Sequence, residues 1–186
     1  YNVNTGEYVF ISEGIEKLLG YTVEEVMGEG FEFFLSIVHP EDLPEVTEKN
    51  KSSLEEANAD PSRNDMVVEF IYRMRHKTGE YRWFHTYGTI FDRNAEGKVE
   101  HVLNISLDIT EQIKASQTIK EQEHFIQQIA DASPTILYLY DVTKQSIVYI
   151  NREIFFVLGY APDEIMRMGD HLTENLYHPE DYHLLP

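Results

Sequence analysis

The first 47 residues match residues 140–186 without a gap, and this internal repeat constrains the fold more than any other feature of the sequence. Tyr1 falls on Tyr140, and fifteen of the 47 aligned positions are identical. The longest identical runs are Leu19-Gly20-Tyr21 with Leu158-Gly159-Tyr160 and His39-Pro40-Glu41-Asp42 with His178-Pro179-Glu180-Asp181. A repeat at a fixed offset indicates two copies of one structural unit. We therefore predict a first copy over residues 1–110 with an incomplete first strand, a connector over 111–132, and the first half of a second copy over 133–186.

The composition excludes several classes of function. A hydrophobic fraction of 42% is enough for a folded core. Fifteen basic and 33 acidic residues give a net charge of −18, which repels nucleic-acid phosphates and anionic lipids, so we expect no nucleic-acid binding and no direct membrane contact. The sequence has no apolar run of membrane-spanning length and no secretion leader. The absence of cysteine excludes disulfides and thiolate metal sites and fits a cytoplasmic location.

Short helices are predicted to lie between two groups of strands within one copy. Residues 8–12 are β-branched and aromatic and follow an Asn4-Thr5-Gly6 turn, which predicts one arm of a hairpin. Apolar spacing predicts a helix that ends at Gly20, and Thr22 with Glu25 forms a capping box for the next helix. Three longer strands are predicted over 66–76, 81–92 and 98–109. The order predicts an α+β domain, in which short helices cover one face of a five-stranded antiparallel sheet.

The connector is predicted to be one helix, because residues 111–131 contain neither glycine nor proline. Apolar positions follow alternating steps of four and three, with one glutamine among them: Ala115, Ile119, Gln122, Ile126 and Ile129. This seam favours packing against a partner helix in a homodimer, and packing against its own domain is the alternative.

The tetrad His39-Pro40-Glu41-Asp42 invites a reading as an acid–base pair or a set of metal ligands. A helix start explains it better, because proline suits the first helical turn and carboxylates favour the positive end of the helix dipole. Three strand arginines, Arg73, Arg75 and Arg82, have two interpretations: an anion site, or pairing with local carboxylates. No histidines are spaced as metal ligands on a helix, so we predict no metal site.

Four segments in order resemble the PAS family with its PAC motif, in the tandem arrangement of bacterial sensor proteins. They are residues 19–26, 38–42, 70–84 and 104–111. The resemblance implies a five-stranded PAS fold, a helical side that holds a small ligand, and an exit helix that leads to an output domain in the same protein. It implies no enzymatic activity in this chain, and a parent protein that is a sensor histidine kinase or, as the second choice, a diguanylate cyclase.

The resemblance and the apolar pattern together predict a ligand pocket. Its predicted lining is Leu18, Phe33, Phe34, Val38, Phe70, Tyr72 and Tyr87, and plain core packing is the alternative role for each. A flavin adduct is excluded because it requires a cysteine, and haem fits poorly because residues 41–58 contain no histidine. We therefore expect no required cofactor, and an unidentified small metabolite stays open.

Asp108-Ile109-Thr110 joins the last strand to the connector, and in the resembled family this triplet links the sheet to the signalling helix. Asp108 or Thr110 is suited to cap free helix amides while Ile109 anchors the junction, so a simple cap is the alternative. We assign the relay to Trp83 and this triplet. The predicted function is a sensory relay module, and the alternative is a ligand-free PAS module for dimerisation and spacing.

Overall fold

The computed structural model describes residues 1–169 and 176–184, and the chain divides into two compact units, Tyr1–Ala115 and Ser116–Pro186. The helices of the first unit are α1 (Gly14–Leu19), α2 (Val23–Glu29), α3 (Phe31–Ile37) and α4 (Leu43–Ala59). Its strands are β1 (Val67–Arg75), β2 (Tyr81–Arg93) and β3 (Val99–Asp108), which pair antiparallel in that order. The α+β prediction and the three long strands are confirmed. The connector is confirmed as helix α5 (Thr110–Ala132).

Local signals set the ends of the short helices as the sequence predicts. Glu25 donates its amide to Thr22 Oγ1 at 3.2 Å, and the Glu25 carboxylate accepts the Thr22 amide at 2.9 Å, which completes the capping box at the start of α2. Helix α1 ends at Gly20, whose φ of 78° lies in the left-handed region. A side chain at that position would be strained, and its Cβ would also lie 3.0 Å from the His76 ring.

The second unit contains a hairpin followed by short helices. Its elements are β4 (Tyr138–Asp141), β5 (Ser146–Ile150), α6 (Glu153–Leu158), α7 (Pro162–Met168) and a 3-10 helix at Pro179–Leu184. Its equivalent of the α2 capping box is only half formed, because Glu164 accepts the amide of Ala161 at 2.7 Å but alanine has no hydroxyl to return the bond. Residues 170–175 and 185–186 of the predicted second copy lie outside the described residues, and the assignment of this unit as half a PAS domain stays a prediction. Within the described ranges, no helix is long and apolar enough to cross a membrane.

The prediction of a five-stranded sheet in the first unit is wrong in its strand count. Residues 8–12 form no strand, and residues 1–3 add only an isolated bridge, Asn2 with His101, beside β3. Asn2 bridges to His101 and not to residues 8–12, so residues 8–12 have no neighbouring strand with which to form a ladder. The repeat supports this reason: residues 147–150, which align with residues 8–11, do form a strand because β4 lies beside them.

The core of the first unit lies between the helices and one face of the sheet. This inner face carries Phe70, Tyr72, Met74 and Phe84, which pack against buried residues of the helices and of the loop before α4: Leu19, Val26, Phe33, Ile37, Val38 and Val46. Leu19 and Phe84 are each only 1% exposed. Successive strand residues alternate between the faces, so Ile71, Ile105 and Leu107 lie on the outer face and are exposed.

Asp42 joins α4 to the sheet and does not cap the helix. Its carboxylate accepts bonds from the Arg73 backbone amide at 2.8 Å, from Nε at 2.9 Å and from Nη2 at 2.6 Å. The Arg73 guanidinium lowers the pKa of Asp42 through these bonds. The predicted place of Pro40 in the first helical turn is wrong, because α4 begins at Leu43 and Pro44 occupies that turn. Of the two interpretations of Arg73, pairing with local carboxylates is therefore the observed one.

Candidate functional site

A cavity of about 290 Å³ lies between the short helices and the inner face of the sheet. We call it the inner cavity; its lining includes Ile15, Leu18, Phe33, Phe34, Tyr72, Phe84, Asn104 and Ser106. A second cavity of about 250 Å³ lies between α4 and the same face, and its lining includes Phe70 and Asn104. Tyr1, Val102 and Asn104 line both cavities, so the two are neighbours along β3.

Most of the predicted pocket residues are brought together by the fold. Leu18, Phe33, Phe34 and Tyr72 line the inner cavity, and Phe70 lines the second one. Val38 is buried in the core but is not among the lining residues.

Placing Tyr87 in the pocket is wrong. In β2 the buried side chains are Phe84 and Thr86, and Tyr87 is one residue out of step with them. Tyr87 therefore lies on the outer face, where its hydroxyl is 3.2 Å from His85 Nδ1. Strand alternation explains the error, because a shift of one position changes the face.

The polar side chains that line the inner cavity include Tyr72, Asn104 and Ser106, and Thr86, which is not a lining residue, contacts two of their hydroxyl groups. Thr86 Oγ1 donates to the Tyr72 hydroxyl at 3.0 Å and lies 2.8 Å from Ser106 Oγ. Burial raises the pKa of Tyr72, which keeps the phenol neutral. None of the side chains described around the inner cavity is charged. The cavity therefore offers apolar and aromatic walls with neutral hydrogen-bonding groups.

The four predicted relay residues meet at the start of α5. Thr110 Oγ1 accepts the backbone amide of Trp83 at 2.9 Å, and the Trp83 carbonyl accepts the amide of Ile109 at 2.9 Å. The Asp108 carboxylate accepts the Thr110 amide at 2.9 Å. Because Thr110 is buried, these bonds fix the first turn of the helix to the middle strand of the sheet.

Arg82 connects this junction to the inner cavity, and sequence reasoning did not assign it that role. Its Nη1 donates to the carbonyl oxygen of Leu18 on α1 at 2.9 Å and lies 3.8 Å from Asp108 Oδ2. Its Nη2 is paired with Glu80 at 2.9 Å. The strand pattern offered one signal for this role. Arg82 lies two residues before Phe84 and therefore on the same, mainly apolar face of the sheet, where a charged side chain needs polar partners.

Comparisons with known proteins agree with this architecture. The chain is 26% identical over 157 residues to the two-component sensor PprA of Pseudomonas aeruginosa, a match that covers 84% of this chain and 16% of that protein. It is 27% identical over 93 residues to the White collar 1 protein of Neurospora crassa, covering 50% of this chain and 7% of that protein. The chain thus spans only a small part of the length of these relatives.

A solved structure and a family model identify the fold. The crystal structure of a sensory box histidine kinase/response regulator from Burkholderia thailandensis superimposes with a TM-score of 0.51 at 21% identity, covering 69% of this chain and 87% of that one. The family model described as PAS fold matches residues 8–106, which is more than half of the chain. The order of helices and antiparallel strands agrees with that match, and we conclude that this chain belongs to the PAS fold family.

Proposed function

We propose that the first unit is a sensory relay module, in which an uncharged small molecule binds in the inner cavity and alters the start of α5. The observation that carries the proposal is the position of Arg82, whose guanidinium contacts a cavity helix at Leu18 and lies close to the junction at Asp108. The absence of charged side chains among the described lining residues supports an uncharged ligand. A ligand with a net charge would lose its hydration there without gaining a partner.

The proposed path has three steps. A ligand larger than the free space beside Ile15 and Leu18 displaces α1, because the close-packed side chains around that space cannot accept more atoms without moving. The Leu18 carbonyl carries the Arg82 guanidinium with it, and this changes the distance between Arg82 and Asp108. Asp108 also accepts the first amide of α5 at Thr110, so its movement loosens or tightens the helix start.

Hydrogen exchange tests the path without knowledge of the ligand. Ile15→Trp is expected to fill the inner cavity as a ligand would and to change amide exchange in the segment around Thr110 severalfold, as measured by mass spectrometry. Adding Arg82→Gln should abolish that change. The matched control Ile71→Trp adds the same side chain on the exposed outer face and should leave exchange at Thr110 unchanged.

Two results would contradict the relay. An unchanged exchange rate in a folded Ile15→Trp variant favours the alternative function, a ligand-free spacer module. An effect of equal size in the presence of Arg82→Gln shows that the signal does not pass through this arginine.

We also infer that the module acts on an output domain in the same protein, in the cytoplasm. The similarity to a protein named as a two-component sensor supports a parent that is a sensor histidine kinase, with a diguanylate cyclase as the second choice. In this proposal the chain itself carries no catalytic residue. Helix α5 is the connection through which the output domain receives the change.

A homodimer through α5 is the second part of the proposal. Three isoleucines of the predicted seam, Ile119, Ile126 and Ile129, are 55 to 65% exposed. An exposed apolar stripe along a helix is suited to pack against the same stripe of a second copy. In a dimer, two relay modules would act on one paired helix.

The double substitution Ile119→Lys with Ile126→Lys is expected to convert the dimer to a monomer, because it places repelling charges in the seam. Sedimentation equilibrium measures the mass. The control Gln117→Lys with His124→Lys adds the same charge on the opposite side of the helix and should remain dimeric. Two results would contradict dimerisation through this seam: a monomeric wild-type chain, or dissociation of the dimer by the control substitutions as well as by the isoleucine substitutions.

A further inference from the structure

A cluster of possible metal ligands lies at the edge of the first unit, and none of its residues lines either cavity. Asp92 near the end of β2 and the pair Glu100 and His101 in β3 each offer one ligand atom, and these atoms lie within 4.8 Å of one another. The ladder between the strands has register shifts on both sides of Asp92, and such irregularities re-aim side chains. The sequence pattern hid the cluster, because Asp92 approaches His101 only across the β2–β3 hairpin.

We propose that Asp92, Glu100 and His101 bind one zinc ion. The imidazole nitrogen and two carboxylates form a ligand set that suits zinc, and three protein ligands leave a position for water. The net charge of −18 favours attraction of any cation to the chain. Magnesium prefers an all-oxygen, octahedral and largely hydrated shell, so the histidine selects against it.

The geometry needs only small adjustments to accept the ion. His101 Nδ1 lies 2.7 Å from Asp92 Oδ1, whereas two ligand atoms on one tetrahedral zinc ion are about 3.4 Å apart. Both carboxylate side chains are partly or fully solvent-accessible, so rotation about their own bonds suffices. Zinc would replace the proton that now joins His101 to Asp92.

The neighbouring Asn2 determines which ring nitrogen carries that proton. Asn2 Oδ1 accepts the amides of Asn4 and Thr5 at 2.9 and 3.1 Å, so its NH2 group must face His101 Nε2, at 3.3 Å. Nε2 is then an acceptor, and Nδ1 is the nitrogen that donates to Asp92. A neutral ring that binds zinc through Nδ1 carries its proton on Nε2. The Nε2–H group then faces the Asn2 NH2 group, so two donors lie opposite each other.

Because Asn2 presents a donor to the metal-bound ring, replacing it with an acceptor should raise the affinity of the site for zinc. Asn2→Asp keeps an oxygen for the two turn amides and offers a second oxygen to Nε2–H, which is the partner that metal-bound histidines usually have. We expect Asn2→Asp to raise zinc affinity by up to about tenfold. Asn4→Asp adds the same charge to the same turn without facing the ring, and should raise it much less.

Calorimetric titration of the tag-free chain with zinc chloride at pH 8, in competition with a chelator of known affinity, measures the site. We expect one ion per chain, and a loss of affinity of about tenfold or more in His101→Ala. His85→Ala is the matched control: its imidazole pairs with Glu69 at 3.1 Å on the same sheet but belongs to no three-ligand cluster among the described residues. It should bind zinc like the wild type.

Each opposite result overturns a part of the proposal. No zinc binding by the wild type, or equal losses in His101→Ala and His85→Ala when circular dichroism shows both to be folded, removes the site. Equal gains in Asn2→Asp and Asn4→Asp show that charge alone acts, and overturn the assignment of Nδ1 as the ligand atom. Magnesium chloride that binds as tightly as zinc chloride overturns the role of the histidine.

Discussion

Leu19→Ala is expected to lower the free energy of unfolding of the first unit by about 2–5 kcal/mol. Leu19 is 1% exposed and lies in the main core cluster, so the substitution removes apolar contacts and leaves a space that the surrounding side chains only partly fill. Trp83 is the single tryptophan of the chain and lies in the first unit. Urea unfolding followed by its fluorescence therefore reports on the unit that carries the substitution.

The repeat supplies a matched control at the equivalent position. Leu158 aligns with Leu19 but is 48% exposed, and it belongs to the second unit. We expect Leu158→Ala to leave the Trp83 unfolding transition where it is in the wild type. A cost below about 1 kcal/mol for Leu19→Ala would contradict its burial, since so small a value is typical of a half-exposed side chain.

Thr110→Val is expected to destabilise the junction by about 1–3 kcal/mol, because it leaves the Trp83 amide without its acceptor in a partly buried place. Thr110 is 8% exposed, and its hydroxyl receives that amide at 2.9 Å. Valine has nearly the same shape, so the hydrogen bond is the main loss. Amide exchange at Trp83 measures the local effect, and urea unfolding measures the effect on the whole unit.

Thr110→Ser separates the hydrogen bond from the packing of the methyl group. Serine keeps the hydroxyl, so exchange at Trp83 should remain close to the wild-type rate. If serine and valine accelerate amide exchange at Trp83 equally, the Thr110 hydroxyl does not stabilise this part of β2. The proposed relay would then lack its hydrogen-bonded connection between α5 and β2.

The elements predicted correctly from the sequence are those with local causes. The capping box of Thr22 with Glu25 lies within four residues, and the left-handed turn at Gly20 requires only the right residue type. The long strands and α5 follow from extended patterns of side chains, so their bounds agree with the predictions to within two residues. The family resemblance assigned Trp83 and Thr110 to the relay, but it did not predict the hydrogen bond between them.

The features that sequence reasoning missed depend on partners far away in the chain. Residues 8–12 have strand-forming side chains, yet they form no strand because a ladder needs a second arm. Asp42 has the position of a helix cap, yet it binds Arg73, 31 residues away, because a guanidinium is a stronger partner than a helix amide. The contact between Arg82 and the Leu18 carbonyl spans 64 residues, and nothing in either local pattern specifies it.

Arg82 binds the main-chain oxygen of Leu18 and not its side chain, and this has a consequence for how the module can evolve. Every residue type has that oxygen, so position 18 is free to vary without loss of the contact. Substitutions there would reshape the cavity and change which molecule is recognised, while the proposed coupling to α5 is retained. In this arrangement, a single mutation at position 18 can change the ligand specificity of the cavity while the contact that couples the cavity to α5 stays the same.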